Sequence, residues 1–124
     1  MFVIHRREIS ELFRGLGKAF FCSMDGWAYL LAERPFRQEL ALGVFLVVFE
    51  MFKQSSGFAR LYLFSSYMLV LISEGFNSAI ESTVDRIGKE KHELSKKAKD
   101  IGSFVVLLSL VHLGIVFCFI VLFL

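Results

Sequence analysis

Leu61-Tyr62-Leu63-Phe64-Ser65-Ser66-Tyr67-Met68-Leu69-Val70-Leu71-Ile72-Ser73-Glu74-Gly75-Phe76-Asn77-Ser78-Ala79-Ile80-Glu81-Ser82-Thr83-Val84-Asp85 is the stretch that decides the fold. Its first half is greasy enough for lipid, and its second half sets polar groups into the same helix. At about 100° per residue, Glu74, Asn77, Glu81 and Asp85 fall within a sector of roughly 80°. Carboxylates and an amide on one face of a membrane helix are costly, so such residues line a site or a pathway. The chemistry of this chain is expected there.

The rest of the composition agrees with a membrane setting. Hydrophobic residues make up 56% of the chain, mean hydropathy is +0.62, and fifteen residues are Phe. With 124 residues the chain makes one domain at most. A soluble chain of that size cannot hide so much apolar surface, whereas lipid accommodates it. The expected fold is an all-α membrane protein with an N-terminal interfacial amphipathic helix over residues 1–34. Three transmembrane helices follow at about 36–53, 61–88 and 101–124, all within a single integral-membrane domain spanning 1–124. The basic residues flank the apolar spans instead of alternating with aromatics on a soluble face, which argues against nucleic-acid binding. Cys22 and Cys118 are far apart and make no metal-binding spacing, so neither a disulfide framework nor a zinc site is expected. The N-terminus carries acidic residues and its apolar run breaks early, which predicts no cleavable signal peptide.

Working outward toward the N-terminus, Ile9, Leu12, Phe13, Leu16 and Phe20 recur at helical spacing beside Arg6, Arg7, Arg14 and Lys18. A helix of this kind lies in the membrane interface with its cations on anionic headgroups, or packs as an ordinary amphipathic helix on the spans. Gly15-Leu16-Gly17-Lys18 is not a phosphate loop: Ala19 replaces the Ser/Thr and Leu12 occupies the first glycine position. Phe20 likewise breaks the dinucleotide fingerprint. In the polar knot Ala32-Glu33-Arg34-Pro35-Phe36-Arg37-Gln38-Glu39, Pro35 has no N–H to donate and suits a helix start or bend. The first apolar run, Leu40–Phe52, ends in a linker with turn chemistry at Ser55-Ser56-Gly57. The second span ends near Gly88, and the third, from Ile101, is almost purely apolar.

Charge gives the topology. Arg6, Arg7, Arg14, Lys18, Arg34 and Arg37 precede the first span, and Arg86, Lys89, Lys91, Lys96, Lys97 and Lys99 lie between the second and third. Three crossings put both groups on one side, leaving only Lys53 and Arg60 opposite. The positive-inside rule makes the basic side cytoplasmic and the C-terminus external. The Glu74–Asp85 face then meets soluble cytoplasmic metabolites.

Glu33, Glu39, Glu74, Glu81, Asp85 and Asp100 gather near that surface beside His92, Lys96, Lys97 and Lys99. Carboxylates without Cys favour a hard, oxygen-seeking cation such as Mg²⁺ over zinc. Pairing such carboxylates with lysines suits polyphosphate, whose charge the cations offset during phosphoryl transfer. A carboxylate at the edge of the apolar layer is also placed to take a proton from a lipid hydroxyl. From composition alone, two other readings stay open. The polar face joins protomers of a non-catalytic membrane assembly protein, or Glu74 and Glu81 relay ions or protons.

Four blocks carry a resemblance: Phe36-Arg37-Gln38-Glu39; Glu74-x-x-Asn77-Ser78-Ala79-Ile80-Glu81-x-x-x-Asp85-Arg86-Ile87-Gly88; His92-Glu93-Leu94-Ser95; and Ala98-Lys99-Asp100-x-Gly102-Ser103. Over about residues 14–118 the sequence resembles the prokaryotic diacylglycerol kinases, small three-span membrane enzymes. The resemblance implies a homotrimer in the bacterial inner membrane that uses MgATP to phosphorylate a lipid alcohol, diacylglycerol or, in a related branch, undecaprenol. It implies Glu74 as the base on the lipid hydroxyl and Glu33 and Glu81 as Mg²⁺ ligands. It further implies Asn77, Glu81, Asp85, Glu90, His92, Lys99 and Asp100 at the nucleotide, and Phe36, Arg37, Gln38, Glu39 and Ser103 on the lipid side. Pro35 and Glu50 depart from the pattern. Glu50 shares a helical face with Glu39 but lies at the opposite end of the span, so it is read as near the outer surface and not catalytic.

Overall fold

The computed structural model of the chain describes residues 6–88 and 90–123 and is helical throughout: α1 (Arg6–Ala32), α2 (Arg34–Lys53), α3 (Gly57–Ile87) and α4 (Glu93–Phe123). Residues 1–5 of the expected surface helix and Leu124 of the expected third span lie outside the described residues. α1 forms one unit, and Glu33 with α2, α3 and α4 forms the other. Along α1, the apolar residues Leu12, Phe13, Leu16 and Phe20 are exposed.

The polar knot breaks the helix where proline chemistry demands. Glu33 is extended at φ −75° and ψ 132°, and Pro35 sits in the first turn of α2, where no intrahelical N–H is needed. α2 ends at Gln54, a left-handed residue at φ 53° and ψ 48°, whose N–H closes on the Glu50 carbonyl at 3.0 Å. Ser56 then caps α3 by accepting from the Ala59 N–H at 3.3 Å, so the helix begins four residues before the apolar run. α4 also begins earlier than its apolar stretch. His92 caps it through Nδ1, which accepts the Leu94 N–H at 3.2 Å, and Lys96 pairs with Asp100 one turn on at 2.6 Å.

Packing follows a seven-residue repeat. The buried positions of α3 include Ala59, Leu63, Ser66, Val70, Ser73 and Asn77; those of α4 are Gly102, Ser109, Leu113, Val116 and Ile120. Both sets step by three, four or seven residues, the a/d pattern of helices crossing at a shallow angle. Their small members, Ala59, Ser66, Ser73, Gly102 and Ser109, let the two backbones approach closely. α2 adds a stripe of its own: Phe36, Glu39, Gly43, Leu46 and Glu50. Leu46 joins the shared core with Leu63, Val70, Leu113, Val116 and Ile120, and Phe49 stacks on Phe117 of α4 at 4.8 Å.

What faces outward is as informative. Leu61, Met68, Ile72 and Phe76 on α3, and Phe104, Leu108, Ile115 and Phe119 on α4, are exposed. Contiguous apolar surface of this kind belongs against lipid. Both α3 and α4 are long and apolar enough to cross a membrane. α2 carries five charged residues in its twenty and is less apolar.

Candidate functional site

The α3 polar face forms a ladder from buried to exposed. Glu74 is 4% exposed and Asn77 8%, Glu81 is half-buried, and Asp85 lies open. At 1.5 Å per residue, Glu74 and Asp85 are separated by about 16 Å along the helix, so one face joins the lipid-exposed region to the turn between α3 and α4. The α2 end supplies two more carboxylates. Glu33, exposed at the α2 start, makes no capping bond with its side chain and lies within electrostatic reach of Glu74, as does Glu81. Glu39, buried on α2, also reaches Glu74, and its Oε2 has no hydrogen-bond partner among the described residues. Three acids, Glu33, Glu39 and Glu81, thus reach Glu74.

The donor chemistry of this gathering is uniform. Asn77 donates Nδ2 to Glu81 Oε1 at 3.2 Å, leaving its own Oδ1 buried without a partner. Only oxygens are on offer, the choice of a hard divalent cation. Among the described residues no group of three His, Cys, Asp or Glu side chains is placed to hold a metal ion by itself.

Toward the turn the character changes. A cleft of about 590 Å³ is lined by Asp85, Glu90, His92, Lys99 and Asp100, five of the residues expected at the nucleotide, together with Lys91 and Lys96. Lys99 Nζ bridges to Asp85 Oδ1 at 2.6 Å, tying α4 to α3, and Glu81 also contributes to the field at Lys99. Exposed pairs like Lys99–Asp85 and Lys96–Asp100 are screened and readily exchanged, so these ammoniums can turn to phosphate oxygens. Asn77 and Glu81 sit one to two turns deeper, between this cleft and Glu74. Of the residues expected on the lipid side, Phe36 is buried at 2% exposed, while Arg37, Gln38 and Ser103 are exposed.

This arrangement joins an acid cluster centred on the buried Glu39 and Glu74, an adjoining cleft with lysines and an apolar outer surface. A family model described as prokaryotic diacylglycerol kinase matches residues 21–121. The chain belongs to the prokaryotic diacylglycerol kinase family. Among its relatives, the diacylglycerol kinase of Escherichia coli K12 is 46% identical over 86 residues, 69% of this chain and 70% of that protein. Its counterpart in Haemophilus influenzae is 43% identical over 84 residues, 68% and 71% of the two chains. That of Sinorhizobium is 36% identical over 115 residues, 89% and 80%. Like other members of the prokaryotic diacylglycerol kinase family, the chain is therefore an enzyme, a membrane lipid kinase.

Two contributors have no signal in the sequence pattern. Gly102 lies so close to Asn77 that a Cβ there would overlap Asn77 Oδ1. Gly102→Ala is accordingly expected to destabilise the protein by about 1–3 kcal/mol, because a buried amide must be displaced. Thermal unfolding in detergent reads this as a lowered midpoint. The second is Tyr67, whose hydroxyl bonds a backbone carbonyl of α2. Lys96, which the charge pattern already sets beside the carboxylates, lines the cleft because α4 starts well before its apolar stretch.

Proposed function

We propose that this protein transfers the γ-phosphoryl group of ATP to the hydroxyl of diacylglycerol, forming phosphatidic acid. The reaction takes place at the cytoplasmic face of the bacterial inner membrane, in a homotrimer of three-span protomers. The observation that carries this reading is Glu74, buried where the lipid-facing surface meets the acid cluster, with the Lys99-bearing cleft on the same helical face. Glu74 accepts the hydroxyl proton as the new oxygen–phosphorus bond forms and the bond to the β-phosphate oxygen breaks, releasing ADP. Glu33 and Glu81 would hold Mg²⁺, which when bound neutralises charge on the phosphate oxygens. Asn77 orients Glu81; Asp85, Glu90, His92, Lys99 and Asp100 receive the nucleotide. Phe36, Arg37, Gln38, Glu39 and Ser103 meet the lipid headgroup region.

The membrane placement rests on charge. Nearly all Lys and Arg fall on one side if α2 crosses as well as α3 and α4, which puts the cleft in the cytoplasm and the C-terminus in the periplasm. α2 ends that bury Glu39 and Glu50 leave a shorter apolar core, which tilting and snorkelling of Arg34, Arg37 and Lys53 accommodate. Composite sites between protomers suit a chain whose spans are too few to enclose two substrates alone.

Labelled ATP offered to the purified protein with diacylglycerol and undecaprenol side by side tests the reading. Label is expected in phosphatidic acid and in preference to undecaprenyl phosphate, and chelation of divalent cations is expected to abolish it. Preferential labelling of undecaprenol would move the protein to the isoprenoid branch. No labelled lipid in either arm would return it to the assembly reading.

A further inference from the structure

Tyr67 sits in the middle of the apolar run, yet it is 9% exposed and its hydroxyl donates to the backbone carbonyl of Glu39 on α2 at 3.1 Å. Its ring lies against the bare Cα of Gly43, one turn along α2, where any Cβ would run into the phenol. Knob and notch are made for each other: the ring fills the space that Gly43 leaves, and the hydroxyl uses the second lone pair of a carbonyl already bonded within the helix. Tyr67 is also two turns before Glu74 on the same line of α3, about 10 Å away.

Resting on the lipid-kinase reading above, we propose that Tyr67 is a positioning residue for phosphoryl transfer, acting through Glu39 to set the acid pair Glu39–Glu74 at a fixed height. The α2–α3 groove of about 460 Å³ is lined by Gly43 and Tyr67 themselves together with Leu40, Val44, Phe64 and Met68. The Tyr67 hydroxyl is the one polar side-chain group among its lining residues, so it supplies the directional bond there that fixes the height of α2 along α3. The polar tie at the far end, around Glu50 and Arg60, holds the turn but lies eleven residues from Glu39. A second tie next to Glu39 converts a hinge into a register. Glu39 carries a buried carboxylate oxygen without a partner beside Glu74, so a shift along the helix axis changes what an incoming hydroxyl meets.

Tyr67→Phe keeps the ring and leaves no group unsatisfied, because the Glu39 carbonyl retains its helical bond. The variant is expected to elute in detergent and unfold as the wild type does. Its kcat for diacylglycerol should fall about tenfold, with KM for ATP within about twofold, since small misplacements of reacting groups are amplified in rate. Gly43→Ala, which unseats the ring while keeping the hydroxyl, is expected to show the same split between kcat and the ATP KM. Both rates are taken per amount of protein eluting at the wild-type position. Wild-type rates for folded Tyr67→Phe, or for folded Gly43→Ala, would overturn the proposal while leaving the kinase reading intact. A wild-type protein that labels no lipid would overturn both.

Discussion

Glu74→Gln is expected to lower phosphate transfer to lipid by about a thousandfold, the scale of a general base lost from a reacting hydroxyl. The substitution is nearly isosteric, and Gln forms helix about as well as Glu, so α3 is expected to keep its shape. It also removes one negative charge from a cluster in which Glu33, Glu39 and Glu81 all reach Glu74. Like charges held together oppose folding, so the variant should be at least as stable as the parent. A loss of turnover with an unchanged or raised unfolding midpoint cannot then be attributed to misfolding. Nucleotide binding should survive, because the cleft around Asp85, Lys99 and Asp100 lies about 16 Å away along α3. Labelled-ATP transfer, nucleotide titration and unfolding measured on one preparation decide the matter. If Glu74→Gln retained transfer within about tenfold of the parent, Glu74 would not be the base. If it disrupted assembly instead, the acidic face would be a helix-joining device.

How much of this site the sequence discloses depends on which interaction fixes each residue. The α3 face is legible because helical period alone aligns Glu74, Asn77, Glu81 and Asp85, and the structure keeps them on one ladder. The gathering of Asp85, His92, Lys99 and Asp100 is legible for a similar reason: a short turn between two long helices brings their ends together. Glu33 is different. It lies forty-one residues from Glu74 in the chain and no local pattern brings it near; the charge topology places it only at the same membrane surface, and its role as a Mg²⁺ ligand comes from the resemblance alone. Tyr67 reads as one more greasy residue because its partner is a backbone carbonyl, which no side-chain pattern displays. The need for a bare Cα at Gly43 and Gly102 likewise exists only once Tyr67 and Asn77 are packed against them. The starts of α3 and α4 are set by the Ser56 and His92 caps, whereas hydropathy marks only the apolar interior of each helix.

Glu50 was legible by half, and its other half leads to the second large effect. Period places it on the Glu39 stripe of α2 at the far end, where it is buried at 6% exposed. What period does not encode is the left-handed Gln54, which folds the chain back so that residues five and ten positions later return to it. Ser55 Oγ donates to Glu50 Oε1 at 3.0 Å, Arg60 Nε faces Oε2 at 3.5 Å, and Arg60 Nη2 donates to the Ser55 carbonyl at 3.2 Å. Arg60 therefore both balances a buried anion and closes the turn. Arg60→Ala leaves Glu50 charged, buried and without a counter-ion, and is expected to destabilise the protein by about 2–3 kcal/mol, below the full range for buried pairs because Arg60 itself is half exposed. Glu50→Gln removes the charge and keeps the bond from Ser55, so the double variant Glu50→Gln with Arg60→Ala should recover most of that loss. Reversible unfolding in mixed detergent micelles measures all three, and the cycle isolates the coupling. A double variant no more stable than Arg60→Ala would mean that Arg60 acts through the Ser55 carbonyl alone. Lipid phosphorylation by folded Glu50→Gln is expected to match the parent, since the pair sits at the opposite end of α2 from Glu39.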